Sequence, residues 1–142
     1  MTDERYWDDA KVGDECVTPS VTVTEAMVNA YAELTGDFTP VHVDEEYAKT
    51  TRFEKRIAQG ALSVGFLATV MGTMAAKAPS PGAVSHRYDI TFTAPVYLGD
   101  TVTAQLDLCE KDEERNICVF TTTVTNQKST VVASGRTYLK VL

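Results

Sequence analysis

The chain has 142 residues, of which 44% are hydrophobic and 23% charged, and this composition suits a single globular domain over residues 1–142. The formal net charge of -7 at pH 7 argues against nucleic-acid binding, because proteins that bind phosphate backbones need a basic surface. The N-terminal segment MTDERYWDDA is charged, so we expect no signal peptide. Three cysteines without a CxxC pair predict reduced thiols in a cytoplasmic protein and no metal site.

The first part of the chain predicts one strand and one helix. Residues 16–23 (CVTPSVTV) are rich in Val and Thr, as strands are, and Pro19 indicates an edge or a break. Thr24 followed by Glu25 is a typical helix start, and Gly36 ends the helix. At helical spacing, one face of this helix carries Met27, Ala30, Tyr31 and Leu34.

A polar loop and a long uncharged helix come next. The loop TGDFTPVHVDEEYAKTTRFEKR carries one short helix around residues 44–49. Residues 57–76 contain no charged side chain, and this stretch is about as long as a membrane span. Its polar residues and alanines dilute the hydrophobicity, so the sequence predicts a helix over about 59–77 that is buried inside the domain and closed by KAPSPG.

The remainder of the chain reads as strands. The segments AVSHRYDITFTA, TVTAQLDLCEKD, NICVFTTTVTN and TVVASGRTYLKVL alternate in polarity and are rich in Val, Thr and aromatic residues. The connections LGD, DEERN and NQKS are short, so consecutive strands are expected to form antiparallel hairpins. Together with the N-terminal strand, they predict an α+β domain in which a five-stranded antiparallel sheet is wrapped around one long central helix.

Asp37 and His42 are the first candidates for chemistry. They lie close together in the loop segment GDFTPVH, which Pro40 stiffens, so both side chains can reach one water molecule. Imidazole changes charge near neutral pH, and a carboxylate in an apolar pocket can have its pKa raised into a useful range. The alternative is structural: a Gly-Asp turn that ends a helix, followed by a histidine that hydrogen-bonds to the backbone.

The run YAELTGDFTPVHVDEEYAKTTRFEKRIAQGALSVGFLA resembles the signature of the MaoC-like dehydratases and (R)-specific enoyl-CoA hydratases. In that family Gly-Asp-x-Asn-Pro-x-His is followed by Ile-Ala-His-Gly at the start of a helix. The similarity extends to VGD at residues 12–14, FTAPV at 92–96 and VTNQ at 124–127. The resemblance implies a hot-dog fold and a role in fatty acid metabolism. The implied reaction is hydration of a trans-2-enoyl-CoA to an (R)-3-hydroxyacyl-CoA, or the reverse dehydration.

The resemblance also implies roles for individual residues. Asp37 and His42 match the pair that orients and activates water, although the sequence leaves open which of them takes a proton and which returns one. Gly60 matches the glycine whose backbone N–H stabilises the thioester oxygen, in agreement with the partial positive charge of a helix N-terminus. Two positions depart from the pattern: Thr39 replaces the asparagine, and Gln59 replaces the histidine before the glycine. Neither is catalytic in the pattern, and no metal or redox cofactor is implied.

A basic cluster precedes the central helix. The functional interpretation is a binding site for the phosphates of coenzyme A, and the structural alternative is a solvated loop that happens to be basic. Its members are Lys49, Arg52, Lys55 and Arg56.

Two other functions remain open. A hot-dog thioesterase is disfavoured, because some of these enzymes carry an essential carboxylate on the central helix and residues 59–76 contain none. A non-catalytic acyl-CoA-binding subunit is disfavoured because Asp37 and His42 are both present. We also expect a homodimer, because a sheet wrapped on one helix leaves open edges and the family to which the resemblance points joins its sheets edge to edge.

Overall fold

The computed structural model describes residues 10–78 and 81–142, so most of the N-terminal segment and Pro79 and Ser80 of the helix-closing KAPSPG lie outside the described residues. The strands are Glu15–Val17 (β1), Val21–Thr22 (β2), Ala83–Phe92 (β3), Thr101–Asp112 (β4), Ile117–Thr125 (β5) and Val131–Val141 (β6). The helices are Glu25–Thr35 (α1), Pro40–Val43 (α2), Glu45–Ala48 (α3) and Gly60–Ala75 (α4).

The strands form one antiparallel sheet in the order β1-β4-β5-β6-β3, and β2 also pairs with β4. The predicted N-terminal strand is divided into β1 and β2 around Pro19, as its proline indicated. The hairpins β4–β5 and β5–β6 are confirmed. The predicted β3–β4 hairpin is wrong, because β3 pairs with β6 instead. The segment between β3 and β4 turns away to contact the chain before α4: Ala58 donates its backbone N–H to the carbonyl of Val96 at 2.7 Å.

The core lies between α4 and the inner face of the sheet, so the predicted central helix is confirmed, but its expected burial inside the domain holds for one face only. The opposite face is exposed and carries Ala61, Gly65, Ala68, Thr69, Gly72 and Thr73. The buried face of α4 includes Leu67, Val70 and Met71, which are fully buried. Each such side chain contributes about 1.5–3 kcal/mol through burial of apolar surface, and this contribution explains why the sheet covers the helix. Among the described helices, none has the length and apolarity that a membrane span requires.

Helix α1 begins and ends where the sequence predicts, but it buries a different face. Thr24 caps its N-terminus by accepting the N–H of Met27. The buried residues are Val28 and Ala32, whereas Leu34 is 87% exposed. The prediction of an apolar face that includes Leu34 is therefore wrong. Helical spacing identifies sets of residues that share a face, but the direction from which neighbouring elements approach decides which set is covered.

Candidate active site

Asp37 follows directly on the end of α1. Gly36 adopts a left-handed conformation with φ of 80° and donates its N–H to the carbonyl of Ala32, a helix ending that glycine makes without strain. The Oδ1 atom of Asp37 accepts two hydrogen bonds from Thr39, at 3.1 Å from the backbone N–H and 2.6 Å from the hydroxyl. The other carboxylate oxygen, Oδ2, accepts no hydrogen bond from the described residues.

These contacts control the charge of Asp37. The pKa of its carboxyl group is lowered, first by the hydroxyl hydrogen bond from Thr39, then by the backbone N–H of the same residue and to a smaller extent by the imidazole of His42. The expected rise of this pKa in an apolar pocket is therefore wrong, because the hydrogen bonds from Thr39 stabilise the charged form, and Asp37 is a carboxylate at neutral pH. Thr39 stands where the family pattern has asparagine. Its hydroxyl donates a hydrogen bond to Oδ1 of Asp37 and so holds the carboxylate directly.

His42 lies on α2, the short helix that Pro40 begins. Its Nδ1 atom lies 2.8 Å from the carbonyl oxygen of Ile57. Because a carbonyl oxygen only accepts, Nδ1 carries a hydrogen, and the imidazole presents its other nitrogen, Nε2, for chemistry. No described residue hydrogen-bonds to Nε2. His42 is thus held by one ring nitrogen and leaves the other available.

A cavity of about 310 Å³ opens beside His42 and the start of α4. Both His42 and Gly60 line it, and so does Arg52 from the basic cluster. Most of the remaining wall is apolar. It comes from the segment before α4, from the end of β3 with the segment that follows it, and from β6, and its members are Phe53, Ile57, Ala58, Phe92, Ala94, Pro95, Val96 and Val132. Asp37 is not part of this lining, so of the predicted pair only His42 lines the cavity, and the link between the two side chains is the electrostatic effect of His42 on the pKa of Asp37.

The N-terminus of α4 lies at the same cavity, since Gly60 is part of the lining. Gln59 is the N-cap, but no side chain caps this end of the helix, so the first N–H groups, beginning with that of Gly60, remain without a capping partner. A Cβ atom on Gly60 would lie 3.0 Å from the ring of Phe92, so this position needs glycine unless the ring moves. The backbone N–H of Gly60 is thus accessible to a group bound in the cavity.

Two polar residues of the cavity wall were not predicted as site residues. Gln59 and Ser63 are 2% and 5% exposed and line the cavity one helical turn apart. The Nε2 atom of Gln59 donates to the carbonyl of Val28 at 3.1 Å and ties the start of α4 to α1, while its Oε1 atom is buried without a partner among the described residues. Their i and i+4 spacing within an otherwise apolar stretch is the signal by which the sequence could have identified them.

The four members of the basic cluster lie in different environments. Arg52 lines the cavity with its guanidinium 4.9 Å from the ring centroid of Phe53. The ammonium of Lys55 lies 4.5 Å from the ring centroid of Tyr97 and remains exposed. Lys49 pairs with Glu46 at 2.8 Å outside the cavity lining, and that hydrogen bond raises the pKa of the ammonium group.

Arg56 differs from the rest of the cluster. It is only 7% exposed, and its three guanidinium nitrogens all donate hydrogen bonds within the chain. These contacts conflict with the predicted binding of coenzyme A phosphates, because a phosphate in solvent cannot reach a guanidinium that is buried and already bonded.

A sheet packed on one central helix, with His42 and a helix N-terminus without a side-chain cap at one largely apolar cavity, defines a hot-dog protein with a site suited to an acyl thioester. The MaoC like domain family matches residues 9–130, and the chain belongs to this family. The predicted family is therefore confirmed.

Relatives support this assignment over most of the chain. The (R)-specific enoyl-CoA hydratase of Rhodospirillum rubrum is 37% identical over 134 residues, which cover 94% of this chain and 90% of the relative. The 3-hydroxybutyryl-CoA dehydratase of Methylorubrum extorquens is 35% identical over 78% of this chain and 68% of the relative. The solved structure of the (R)-hydratase from A. caviae involved in PHA biosynthesis superposes with a TM-score of 0.84 at 29% identity, covering 94% of this chain and 98% of that one. The predicted hot-dog fold is confirmed.

Proposed function

We propose that this protein hydrates trans-2-enoyl-CoA thioesters to (R)-3-hydroxyacyl-CoA and catalyses the reverse dehydration. The names of its relatives in R. rubrum and M. extorquens support this reaction class. The observation that carries the proposal is the state of the pair: Asp37 is held ionised by Thr39, and His42 is held through Nδ1 at the wall of an apolar cavity.

The proposed step assigns one proton transfer to each residue. The Asp37 carboxylate takes a proton from water through Oδ2, and the hydroxide formed adds to C3 of the enoyl group. The electron pair of the double bond moves toward the thioester carbonyl, whose oxygen becomes enolate-like and accepts the N–H of Gly60. His42, which carries a proton on Nε2 in this step, then gives it to C2. The proton taken up by Asp37 passes through solvent back to Nε2, so that both groups return to their starting states. We assign the base to Asp37 because Oδ2 of its carboxylate accepts no hydrogen bond from the described residues and can take a proton from water.

The distribution of apolar and polar residues in the cavity wall indicates how the substrate binds. Its apolar wall receives the acyl chain, and the thioester lies between His42 and Gly60. Arg52 at the cavity and the exposed Lys55 provide cations for the phosphates of coenzyme A. Lys49, three residues before Arg52 in the chain, adds a third cation. We place the reaction in the cytoplasm, where the three cysteines remain free thiols. Hydration is neither oxidation nor reduction, so the proposed step needs no redox cofactor, and Asp37 and His42 carry the proton transfers without a metal.

The test is a set of enoyl-CoA thioesters of different chain length and branching, followed by chiral analysis of the products. Hydration removes the absorbance of the conjugated enoyl group and releases no thiol. A thioesterase would release free coenzyme A, which a thiol reagent detects. Binding of acyl-CoA with neither change would identify a non-catalytic acyl-CoA-binding subunit, and thiol release alone would contradict the proposed reaction.

Thr39→Val is expected to move the acid limb of the pH–rate profile to higher pH. The hydroxyl of Thr39 lowers the pKa of Asp37, so its removal raises that pKa toward the ordinary value. Because Asp37 acts as a carboxylate, activity is lost as pH falls through its pKa, and this loss then occurs at a higher pH. At the pH optimum kcat is expected to stay within about tenfold of wild type, since one such hydrogen bond is worth about 0.5–1.5 kcal/mol.

A matched control for this change is Thr50→Val, which removes a hydroxyl that donates to the carbonyl of Tyr47 in the same loop. Its pH–rate profile should coincide with that of the wild type. An unshifted acid limb in Thr39→Val would show that Asp37 does not limit the reaction at low pH. A second contrary outcome is that Thr39→Val loses as much kcat as His42→Ala while its thermal stability is unchanged. That result would show that Thr39 itself takes part in proton transfer.

We also propose that the protein is a homodimer joined along β3. Within the described residues β3 pairs only with β6, so the ten-residue strand Ala83–Phe92 has one unpaired edge. Long unpaired edges are usually covered by another strand. Val84 and Phe92 are 48% and 52% exposed on this strand, and Phe92 also lines the cavity. Two β3 strands paired antiparallel would continue the sheet and bring a second copy next to the cavity.

Light scattering should therefore give the mass of a dimer, and Val84→Lys should shift the mass toward the monomer because a lysine on an edge strand opposes pairing with another strand. Val17→Lys is the control, since Val17 is similarly exposed on β1 at the opposite edge of the sheet. A fully active monomer would contradict the proposal. Dissociation by Val17→Lys with a stable Val84→Lys dimer would place the interface at β1.

A further inference from the structure

We propose that Arg56 is a positioning residue for His42, and that it fixes the imidazole at the cavity by tying the short helix α2 to helix α1. The inference rests on the proposed catalytic role of His42. It assigns to Arg56 a task that differs from both phosphate binding and direct contact with the substrate.

The first support is a reciprocal pair of hydrogen bonds between α2 and the segment that leads into α4. The Nε atom of Arg56 donates to the backbone carbonyl of His42 at 2.7 Å. In the opposite direction, the Nδ1 atom of His42 donates to the carbonyl of Ile57 at 2.8 Å. Two consecutive residues thus hold both the backbone and the ring of His42. Rotation of the ring or displacement of α2 would break one or both bonds.

The second support is that Arg56 is itself immobilised. Its two terminal nitrogens donate to Oε1 of Glu25 at 2.7 Å and to Oδ1 of Asn29 at 2.8 Å. Glu25 and Asn29 lie one turn apart on α1, so they face the guanidinium together. The Arg56 side chain is 8% exposed, and a desolvated cation of this kind is stable only when its donors are satisfied.

The planar guanidinium is suited to this arrangement, and lysine is not. A guanidinium presents donors in several fixed directions, and here three of them reach a carbonyl, a carboxylate and an amide on two different helices. The ammonium of a lysine is a single centre and cannot span these acceptors. Arg56→Lys therefore keeps the charge but removes the fixed geometry. Misplacement of a catalytic group by about 1 Å can cost on the order of 10²-fold in rate.

The experiment compares Arg56→Lys with the matched control Arg115→Lys, in which the arginine pairs with Asp112 and has a side chain that is 76% exposed. We expect kcat of Arg56→Lys to fall about 10- to 10²-fold while KM for enoyl-CoA changes less than about threefold. The ¹⁵N and ¹H signals of the His42 ring should also change, reporting a weakened bond from Nδ1. The chain has two histidines, so comparison with His42→Ala assigns these signals. Arg115→Lys should match the wild type in every readout.

Added guanidinium gives a further readout, because it should restore part of the activity to Arg56→Ala and none to His42→Ala. If the Arg56 variants do not fold, Asn29→Ala and Glu25→Gln each weaken one bond of the guanidinium and should lower kcat in the same direction. Normal kcat and unchanged His42 signals in a folded Arg56→Lys protein, or in both weaker variants, would overturn the inference. If His42→Ala is itself fully active, the proposed function fails instead, and the two failures are distinguishable.

Discussion

His42→Ala is expected to reduce kcat for hydration by about 10²–10⁴-fold in a protein that remains folded. The imidazole is held by its Nδ1 bond to Ile57 and presents Nε2 toward the cavity, so its removal deletes the proposed proton donor to C2. His42 is only partly buried and does not belong to the hydrophobic core, so the thermal midpoint should change little. Steady-state kinetics with enoyl-CoA and a thermal melt measure both quantities.

His86→Ala is the control for this change, because His86 is the other histidine of the chain and lies exposed on β3. Its kcat should equal that of the wild type. Near-normal turnover in a folded His42→Ala protein would remove the proposed mechanism, whereas an equal loss in both variants would point to the assembly and not to the imidazole at position 42.

Asp37→Asn is expected to produce a loss of similar size, about 10²–10⁴-fold in kcat. An amide cannot take a proton from water, although its oxygen can still accept both hydrogen bonds from Thr39, so the loop should keep its conformation. The variant with both Asp37→Asn and His42→Ala should lose less than the product of the two single effects, because the residues act on one water and one substrate.

A suitable control is Asp44→Asn, since Asp44 also accepts a backbone N–H, from Tyr47, without any contact to the cavity. The control should retain wild-type kcat. Two single effects that multiply in the double variant would indicate that Asp37 and His42 act in separate steps, and a fully active Asp37→Asn protein would show that water is activated by another group.

Local sequence determined much of the fold and the centre of the site. The uncharged stretch of residues 57–76 indicated a helix packed against other parts of the chain, and α4 forms there with one face buried. Gly36 ends α1 as predicted, because glycine tolerates positive φ. The single short helix predicted around residues 44–49 is α3, whereas α2 begins at Pro40 in a segment predicted as loop, because proline suits the first position of a helix. The local sequence thus identified Asp37 and His42 as candidates but not the helix that carries His42.

Tertiary structure decided which partners each residue finds. Periodicity placed Leu34 on a face of α1, but the approach of neighbouring elements buried Val28 instead. The short connection before β4 indicated a hairpin, yet pairing of β3 with β6 freed the segment around Val96 to contact the chain before α4 and enclose the cavity. Arg56 appeared in sequence as one of several loop cations. Its burial against α1 depends on contacts between residues far apart in the chain, and spacing along the sequence carries no information about such contacts.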